Sequence, residues 1–306
     1  MQDQPNPPKP PEHYYGGQAV IEGVMMRGQR DWAIAVRRPD TSVHVESHGI
    51  DSVAERHRWL AKPGFRGVIA LGQALSIGVK ALSISANQSS PEEEQLSSKQ
   101  MGVSIAVAIV VFVGVFVVLP AVAFRFVGRE VGSSVLNNVL EGVFRVALFL
   151  AYLFAIGRTK DIRRVFQYHG AEHKTIAAFE HGDELDPDHV DRYSTLHVRC
   201  GTNFLLIVMV LTILIFAAFG NPGLLWRIVS RIIAIPIIAA VAYELLRLGA
   251  KYPDSAPMRL VMAPGLWLQK ITTQPPDHGQ IEVAIASFRE VVRRESERSG
   301  DQRSAG

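Results

Sequence analysis

The chain has 306 residues, a formal net charge of +3, 20% charged residues and a mean hydropathy of +0.14. A charge this small, without a basic patch rich in aromatic residues, excludes nucleic acid as the expected partner. The single cysteine, Cys200, excludes an intramolecular disulfide framework, so its thiol is a buried group, a metal ligand or a reactive group. Long apolar runs beside polar segments instead predict a membrane protein whose partner is the lipid bilayer.

The N-terminal segment precedes these runs. Residues 1–13 are rich in proline and carry no apolar stretch, which predicts a disordered tail and no cleavable signal peptide. Residues 14–100 are expected to form a cytoplasmic region with short strands. Alternation of apolar and polar residues over 32–38 and 42–47 predicts a β-hairpin around a Pro-Asp turn, and the glycines between 16 and 28 predict turns or close backbone approach.

One apolar stretch in this region has two interpretations. Residues 67–86 contain Gln73 and Lys80, and a full crossing would place both side chains in hydrocarbon. The stretch is therefore expected to be an amphipathic helix, either on the membrane surface or in the core of the soluble part. Both interpretations stay open at this point.

Four further apolar runs predict transmembrane helices, at residues 101–124, 136–157, 204–219 and 228–248. They divide the chain into helices 1 and 2 in residues 101–157, a polar segment at 158–203, helices 3 and 4 in residues 204–248, a C-terminal region at 249–294 and a disordered tail at 295–306. In the C-terminal region Pro253, Pro257 and Pro264 predict a break in regular structure around residues 256–258, whereas residues 280–294 have the apolar spacing of a helix.

The basic residues near the spans predict the orientation. Four spans place the N-terminal region, the segment 158–203 and the C-terminal region on one side. Ten basic residues lie on that side and three on the other, namely Lys99, Arg158, Lys160, Arg163, Arg164, Arg192, Arg199, Arg247, Lys251 and Arg259 against Arg125, Arg129 and Arg227. This excess predicts a multi-pass protein of the cell (plasma or inner) membrane with both termini in the cytoplasm.

The polar segment between the second and third spans carries the strongest chemical signal. His169, Glu172 and His173 have the spacing H-x-x-E-H, and on a helix these positions share one face. The same order occurs in inverzincin metalloproteases, in which the histidines bind zinc and the glutamate activates water. The alternative is a solvated helix face on which Glu172 neutralises Lys174.

Other residues are candidates to complete such a site. His197 and Cys200 would add a nitrogen and a thiolate, a set that suits zinc, although Cys200 is equally explained as a small buried residue before the third span. Glu244, near the cytoplasmic end of the fourth span, is a candidate ligand or the ion-pair partner of Arg247. Glu22, among the N-terminal glycines, is a candidate catalytic base or a carboxylate at a strand end.

Charges inside the spans allow a different function. Glu141 and Arg145 lie one turn apart in the second span and Arg231 lies in the fourth. An ion pair that fixes helix packing is the first interpretation, and a path for protons or solutes through a transporter is the other.

Four motifs occur in order within residues 14–290: GQAVIEGVMMR at 17–27, YHGAEHKT at 168–175, STLHVRCGTNF at 194–204 and QIEVAIA at 280–286. Together they resemble the YqhQ-like family of bacterial multi-span membrane proteins, whose usual description is a predicted metal-dependent enzyme. The resemblance implies an integral membrane protein with a metal site at the His/Glu/His and His/Cys positions, and it implies no substrate.

The expected fold is a mainly α, polytopic helical membrane protein with a small α+β cytoplasmic part that includes the N-terminal hairpin. The leading hypothesis is a hydrolase with a divalent metal, zinc first, at the cytoplasmic membrane surface. In it His169 and His173 hold the metal, Glu172 activates water, and His197, Cys200 or Glu244 completes the site. A scaffold or assembly factor with a structural histidine cluster is the alternative, and a transporter is the third.

Overall fold

The computed structural model describes residues 15–51, 60, 62, 64–127, 133–217, 224–252 and 255–304. The tail predicted at residues 1–13 lies outside these residues. Within the described residues the chain is mainly helical and has a small N-terminal sheet.

The sheet consists of four antiparallel strands in chain order: β1 (Gly16–Val20), β2 (Gly23–Arg27), β3 (Asp31–Arg37) and β4 (Val43–Gly49). The predicted hairpin is confirmed as β3 and β4. The glycine-rich stretch forms β1 and β2 in addition. A Cβ atom on Gly23 would lie 2.2 Å from the carbonyl oxygen of Ala35, so the predicted close backbone approach lies within a strand pair.

The helices are α1 (Phe65–Gln88), α2 (Ser98–Val113), which continues through a π-helical turn (Gly114–Val118) into α3 (Leu119–Val127), α4 (Ser134–Ile156), α5 (Lys160–Glu180), α6 (Pro187–Val190), α7 (Gly201–Ala217), α8 (Leu224–Lys251), α9 (Ala256–Thr272) and α10 (His278–Ser304). A short 3₁₀ helix, Glu92–Glu94, precedes α2. A capping box between Ser97 and Gln100 sets where α2 begins.

The sheet is the middle layer of a three-layer body. On one face Met26 packs against Tyr168 of α5 and Phe288 of α10. On the other face Trp32 packs with Ile77 of α1. Both faces of β2 and β3 are therefore buried, which explains why these strands are apolar over most of their length.

Helix α1 joins this body to the membrane helices. Its second half carries Ile77 and Ala81, which cover the sheet. Its first half packs along α8, where a Cβ on Gly67 would lie 3.0 Å from the Cα of Ala240. By length and composition the whole helix would also suffice to cross a membrane. The second half of α1 therefore packs in the core of the sheet-containing part, as one of the two interpretations predicts. The first half packs against a predicted membrane span.

Within the part of the chain that the structure describes, three helices are long and apolar enough to cross a membrane, Phe65–Gln88, Ser98–Phe124 and Val135–Ile156, and the apolar helix Gly201–Ala217 is shorter. Helix α7 packs against α4, α8 and α9. The first two predicted spans correspond to α2 with α3 and to α4, and the third and fourth to α7 and α8. The protein is thus a helical membrane protein with a small sheet-containing part, as the sequence predicts.

Two predictions for the C-terminal part are corrected. Regular structure does break before Pro257, since α8 ends at Lys251 and α9 begins at Ala256. Pro257 itself lies in the first turn of α9, where a missing N–H leaves no hydrogen bond unmade, and the helix continues through Pro264. Helix α10 continues to Ser304 through most of the segment predicted as a disordered tail. Glu295 accepts hydrogen bonds from the backbone of Arg30 and Asp31, which holds this extension against the sheet.

Candidate metal centre

The H-x-x-E-H motif lies in the middle of α5, so the prediction that its residues are helical is confirmed. The helix ends where Gly182 adopts a left-handed φ of 73°, and the N–H of Gly182 donates to the carbonyl of Phe179. Asp186 then caps the short helix α6. These turns bring the chain back across α5.

The returning segment 191–200 is held from two sides. The ammonium group of Lys174 donates to the carbonyl and the carboxylate of Asp191. The buried side chain of Gln269 in α9 accepts from the His197 N–H at 2.8 Å and donates to the His197 carbonyl at 2.8 Å. These contacts place Cys200, the last residue before α7, next to the histidines of α5.

Three side chains converge at this point. His169, His173 and Cys200 each offer one ligand atom, and these atoms all lie within 4.8 Å of one another. The Nε2 atom of His169 is 3.2 Å from the Sγ atom of Cys200. Two nitrogens and a sulfur on one zinc ion lie no more than about 4.4 Å apart, the sum of the two longest bonds. The observed separation of the three ligand atoms is close to the separation that they would have around one zinc ion.

Backbone carbonyls determine which ring nitrogens face the cluster. The Nδ1–H of His169 donates to the Thr272 carbonyl at 2.8 Å, and the Nδ1–H of His173 donates to the Thr195 carbonyl at 2.5 Å. In the neutral rings each Nε2 atom therefore carries the lone pair. The Nε2 of His173 is buried and has no hydrogen-bond partner among the described residues. Donation from Nδ1 to a carbonyl is the usual second interaction of a metal-binding histidine.

Burial shapes the protonation of the cluster. It lowers the pKa of His173, which favours the neutral imidazole that binds metals. Burial raises the pKa of the Cys200 thiol, but the neighbouring His173 and the hydrogen bonds from Thr202 outweigh it, so that the pKa lies below its ordinary value. Both shifts favour the ligand forms of these residues.

Glu172 lies on the same helix face and is 4% exposed. Burial raises its pKa to about 8, although the nearby His169 opposes this shift. Its carboxyl group packs directly on β1, where a Cβ on Gly17 would lie 2.8 Å from the Glu172 Cδ. One carboxylate oxygen has no hydrogen-bond partner among the described residues. Glu172 is thus a buried carboxyl group beside the cluster.

His197 is near the cluster but is directed elsewhere. Its ring centroid lies 5.7 Å from that of His173, while its Nε2 atom is 3.5 Å from a carboxylate oxygen of Glu180. Glu180 is also bonded to Arg199. His197 therefore does not belong to the group of three converging ligand atoms.

The structure does not bring Glu244 or Glu22 to the cluster. The carboxylate of Glu244 accepts two hydrogen bonds from Arg66 of α1, one of them at 2.7 Å from Nε. Glu22, at a positive φ in the turn between β1 and β2, accepts two hydrogen bonds of 2.5 Å from Arg164 and a third from Tyr168. Glu22 thus ties the sheet to α5 rather than facing the histidines.

Sequence reasoning missed the groups that hold the ligands. Backbone carbonyls such as those of Thr195 and Thr272 leave no trace in a sequence. Gln269 was visible only as one polar residue after an apolar run. Gly170, inside the motif, is required because a Cβ there would lie 2.2 Å from the Gln274 carbonyl oxygen, and that contact places the end of α9 beside His169.

Comparisons with known proteins agree on the family. A family model described as "Protein of unknown function (DUF1385)" matches residues 62–294. The chain is 32% identical over 296 residues to the "Uncharacterized protein YqhQ" of Bacillus subtilis (strain 168), an alignment that covers 92% of this chain and 93% of the relative. No solved structure matches.

Proposed function

The chain belongs to the DUF1385 family, and from the geometry of its histidine–cysteine cluster we propose that it is a metal-dependent enzyme of the membrane surface. In this proposal His169 Nε2, His173 Nε2 and Cys200 Sγ bind a divalent ion, zinc first. The reaction is a hydrolysis, in which water enters and one bond of the substrate is cleaved.

One observation carries the proposal. Two Nε2 lone pairs and one thiol converge, and both histidine tautomers are held by backbone carbonyls. Two nitrogens and a sulfur are the donor set that zinc binds well.

A zinc ion held by His169, His173 and Cys200 would supply Lewis-acid chemistry and activate water. The chain itself contributes the orientation of the ligands and a buried carboxyl group, Glu172, that would take up or release a proton beside the cluster. The sheet shields this carboxyl group from bulk water through its contact with Gly17.

The alternative is a scaffold with a structural metal. Structural zinc sites are closed by four protein ligands, whereas catalytic sites keep one position open. Among the described residues three ligand atoms converge, and the nearest further histidine, His197, has its Nε2 directed to Glu180. This arrangement favours the enzyme.

Metal analysis of the purified protein tests the proposal. We expect close to one zinc per chain in the wild type and loss of most of it in His173→Ala. His181→Ala is the matched control, because His181 follows the same helix and its ring is exposed. A wild-type protein without stoichiometric metal, or a His173→Ala variant that keeps it, contradicts the proposal.

We also propose that the cluster faces the cytoplasm in the cell (plasma or inner) membrane. The support is the excess of ten basic residues over three. In addition, the sheet, α5 and α10 pack into one body and must therefore lie on the same side of the membrane. An even number of crossings then separates them along the chain, and the four-span topology has two crossings between the sheet and α5 and two between α5 and α10. A reporter enzyme that works only in the cytoplasm should be active when it is fused at Gly306. A reporter enzyme that works only outside the cytoplasm should be active when it is fused at Gly220. A C-terminal reporter that is active outside overturns this orientation.

A further inference from the structure

The metal centre lies at the junction of the sheet-containing body and the membrane helices. Cys200 immediately precedes α7, and Thr272, whose carbonyl holds His169, is the last residue of α9. A molecule that travels along α7 or α9 would therefore arrive at the cluster.

An apolar groove follows that route. It has a volume of about 520 Å³ and lies between α4, α7 and α9, where it is lined by residues such as Val146, Leu206, Val210, Leu268 and Ile271. Ile271 is the residue before Thr272, so the groove extends to within one residue of the group that orients His169. Its rim is apolar as well, because Leu260 and Trp267 are 75% and 73% exposed.

Apolar helices border the open side of this groove, which indicates hydrocarbon as its environment. Helix α4 is one of the helices long and apolar enough to cross a membrane, and α7 is apolar from Phe204 to Ala217 apart from Thr212. A protein helix about 10 Å across would fill 520 Å³ within about 7 Å of its length, little more than one turn. A flexible acyl chain fits the volume, which is typical of sites for small ligands at about 300–1,000 Å³.

We propose that the substrate is a membrane lipid whose acyl chain lies in the α4–α7–α9 groove and whose polar end reaches the His169–His173–Cys200 cluster. This inference rests on the proposed function and specifies its substrate class. The groove supplies binding by apolar contact, and the cluster acts on the polar end.

Photolabelling tests the groove. The probe is a phosphatidylglycerol with a diazirine at the end of one acyl chain, added at low concentration to the protein in detergent. We expect labelling of peptides from α7 and α9 that saturates and that unlabelled phosphatidylglycerol displaces. Labelling of these helices that does not saturate, or that only matches the labelling of the exposed surface of α2, overturns the proposal.

Three variants locate the label. Val210→Trp fills the groove and should weaken labelling by about tenfold, the equivalent of losing about two buried methylene groups. Val110→Trp is the matched control, because Val110 is a more exposed valine, on α2, and its labelling should equal that of the wild type. Ala263→Phe fills the opposite wall and serves if Val210→Trp does not fold. Unchanged labelling in a folded groove variant contradicts the inference.

Zinc content, measured on the same samples, separates the two proposals. Stoichiometric zinc without saturable labelling leaves the metal site standing and removes the lipid groove. Saturable labelling without zinc retains the groove as a lipid site and removes the metal-dependent enzyme.

Discussion

Each residue of the H-x-x-E-H motif has its own contacts. His169 and His173 present their Nε2 atoms to Cys200, and Glu172 is buried against the sheet. Gly170 allows the Gln274 backbone to approach, and Lys174 holds the returning segment through Asp191. Gly170, Glu172 and Lys174 are thus constrained by packing and hydrogen bonds, in addition to the constraints on the candidate ligands.

The contact between Glu172 and β1 gives a prediction at a single residue. In Gly17→Ala the new Cβ would lie 2.8 Å from the Glu172 Cδ and from the Met25 carbonyl oxygen. Overpacking of this kind costs about 1–3 kcal/mol, so we expect the free energy of unfolding to fall by that amount in thermal or denaturant unfolding. Zinc content should stay near that of the wild type, because Glu172 is not one of the three ligands.

Gly16→Ala is the control for this change. Gly16 is the adjacent strand residue, and a Cβ there meets nothing within 4 Å, so the free energy of unfolding should change by no more than about 0.5 kcal/mol. Equal effects of the two substitutions would show that the contact with Glu172 does not govern the response.

At the scale of elements, the close contact between α7 and α9 positions the candidate metal ligands. A Cβ on Gly265 of α9 would lie 1.9 Å from the Asn203 Oδ1 in α7. Asn203 donates to the Val198 carbonyl, and Gln269, one turn after Gly265, holds His197. The approach of these two helices therefore fixes the segment that carries Cys200.

Gly265→Ala should separate the two helices. We expect a loss of stability of about 1–3 kcal/mol together with a reduced zinc content, because Cys200 moves away from the histidines. The matched control is Gly102→Ala in α2, a helical glycine with nothing within 4 Å of its Cβ position, for which alanine should be neutral or stabilising by up to about 1 kcal/mol. A Gly265→Ala protein as stable and as zinc-rich as Gly102→Ala contradicts this account.

The ion pair predicted within the second span is found in α4, where Arg145 donates to Glu141 at 2.9 Å. Glu141 is 1% exposed. Glu141→Gln removes the carboxylate that accepts from Arg145 inside the span, and a change that weakens the pairing of an intramembrane charge is unfavourable. The yield of folded protein should fall in Glu141→Gln and recover in part in the double variant with Arg145→Gln. Additive losses would show that the two side chains act independently.

Across the whole molecule, the sequence predicts best what depends on periodicity. The spans, the β3–β4 hairpin and the helix after Gln280 follow from apolar spacing, and His169 and His173 share a face because the motif is helical. The sequence did not predict β1 and β2, because their glycines also fit turns. It also placed Glu244 and Glu22 among the candidates, since partners distant in sequence, Arg66 and Arg164, are not visible in a local pattern.

The same limit explains the errors near Pro257 and in the C-terminal tail. Proline breaks a helix in its interior but is favourable in its first turn, and only the position of the helix start decides between them. The polar residues after 294 are helical because Arg298 and Glu295 reach the sheet. Both outcomes depend on tertiary contacts.

X-ray absorption at the zinc edge tests the central claim most directly. For the purified protein we predict one sulfur at about 2.3 Å and two histidine nitrogens at about 2.0–2.1 Å, with one further oxygen or nitrogen in the first shell. Cys200→Ser should remove the sulfur contribution. A zinc shell without sulfur in the wild type, or a protein that binds no zinc, would contradict a site formed by His169, His173 and Cys200.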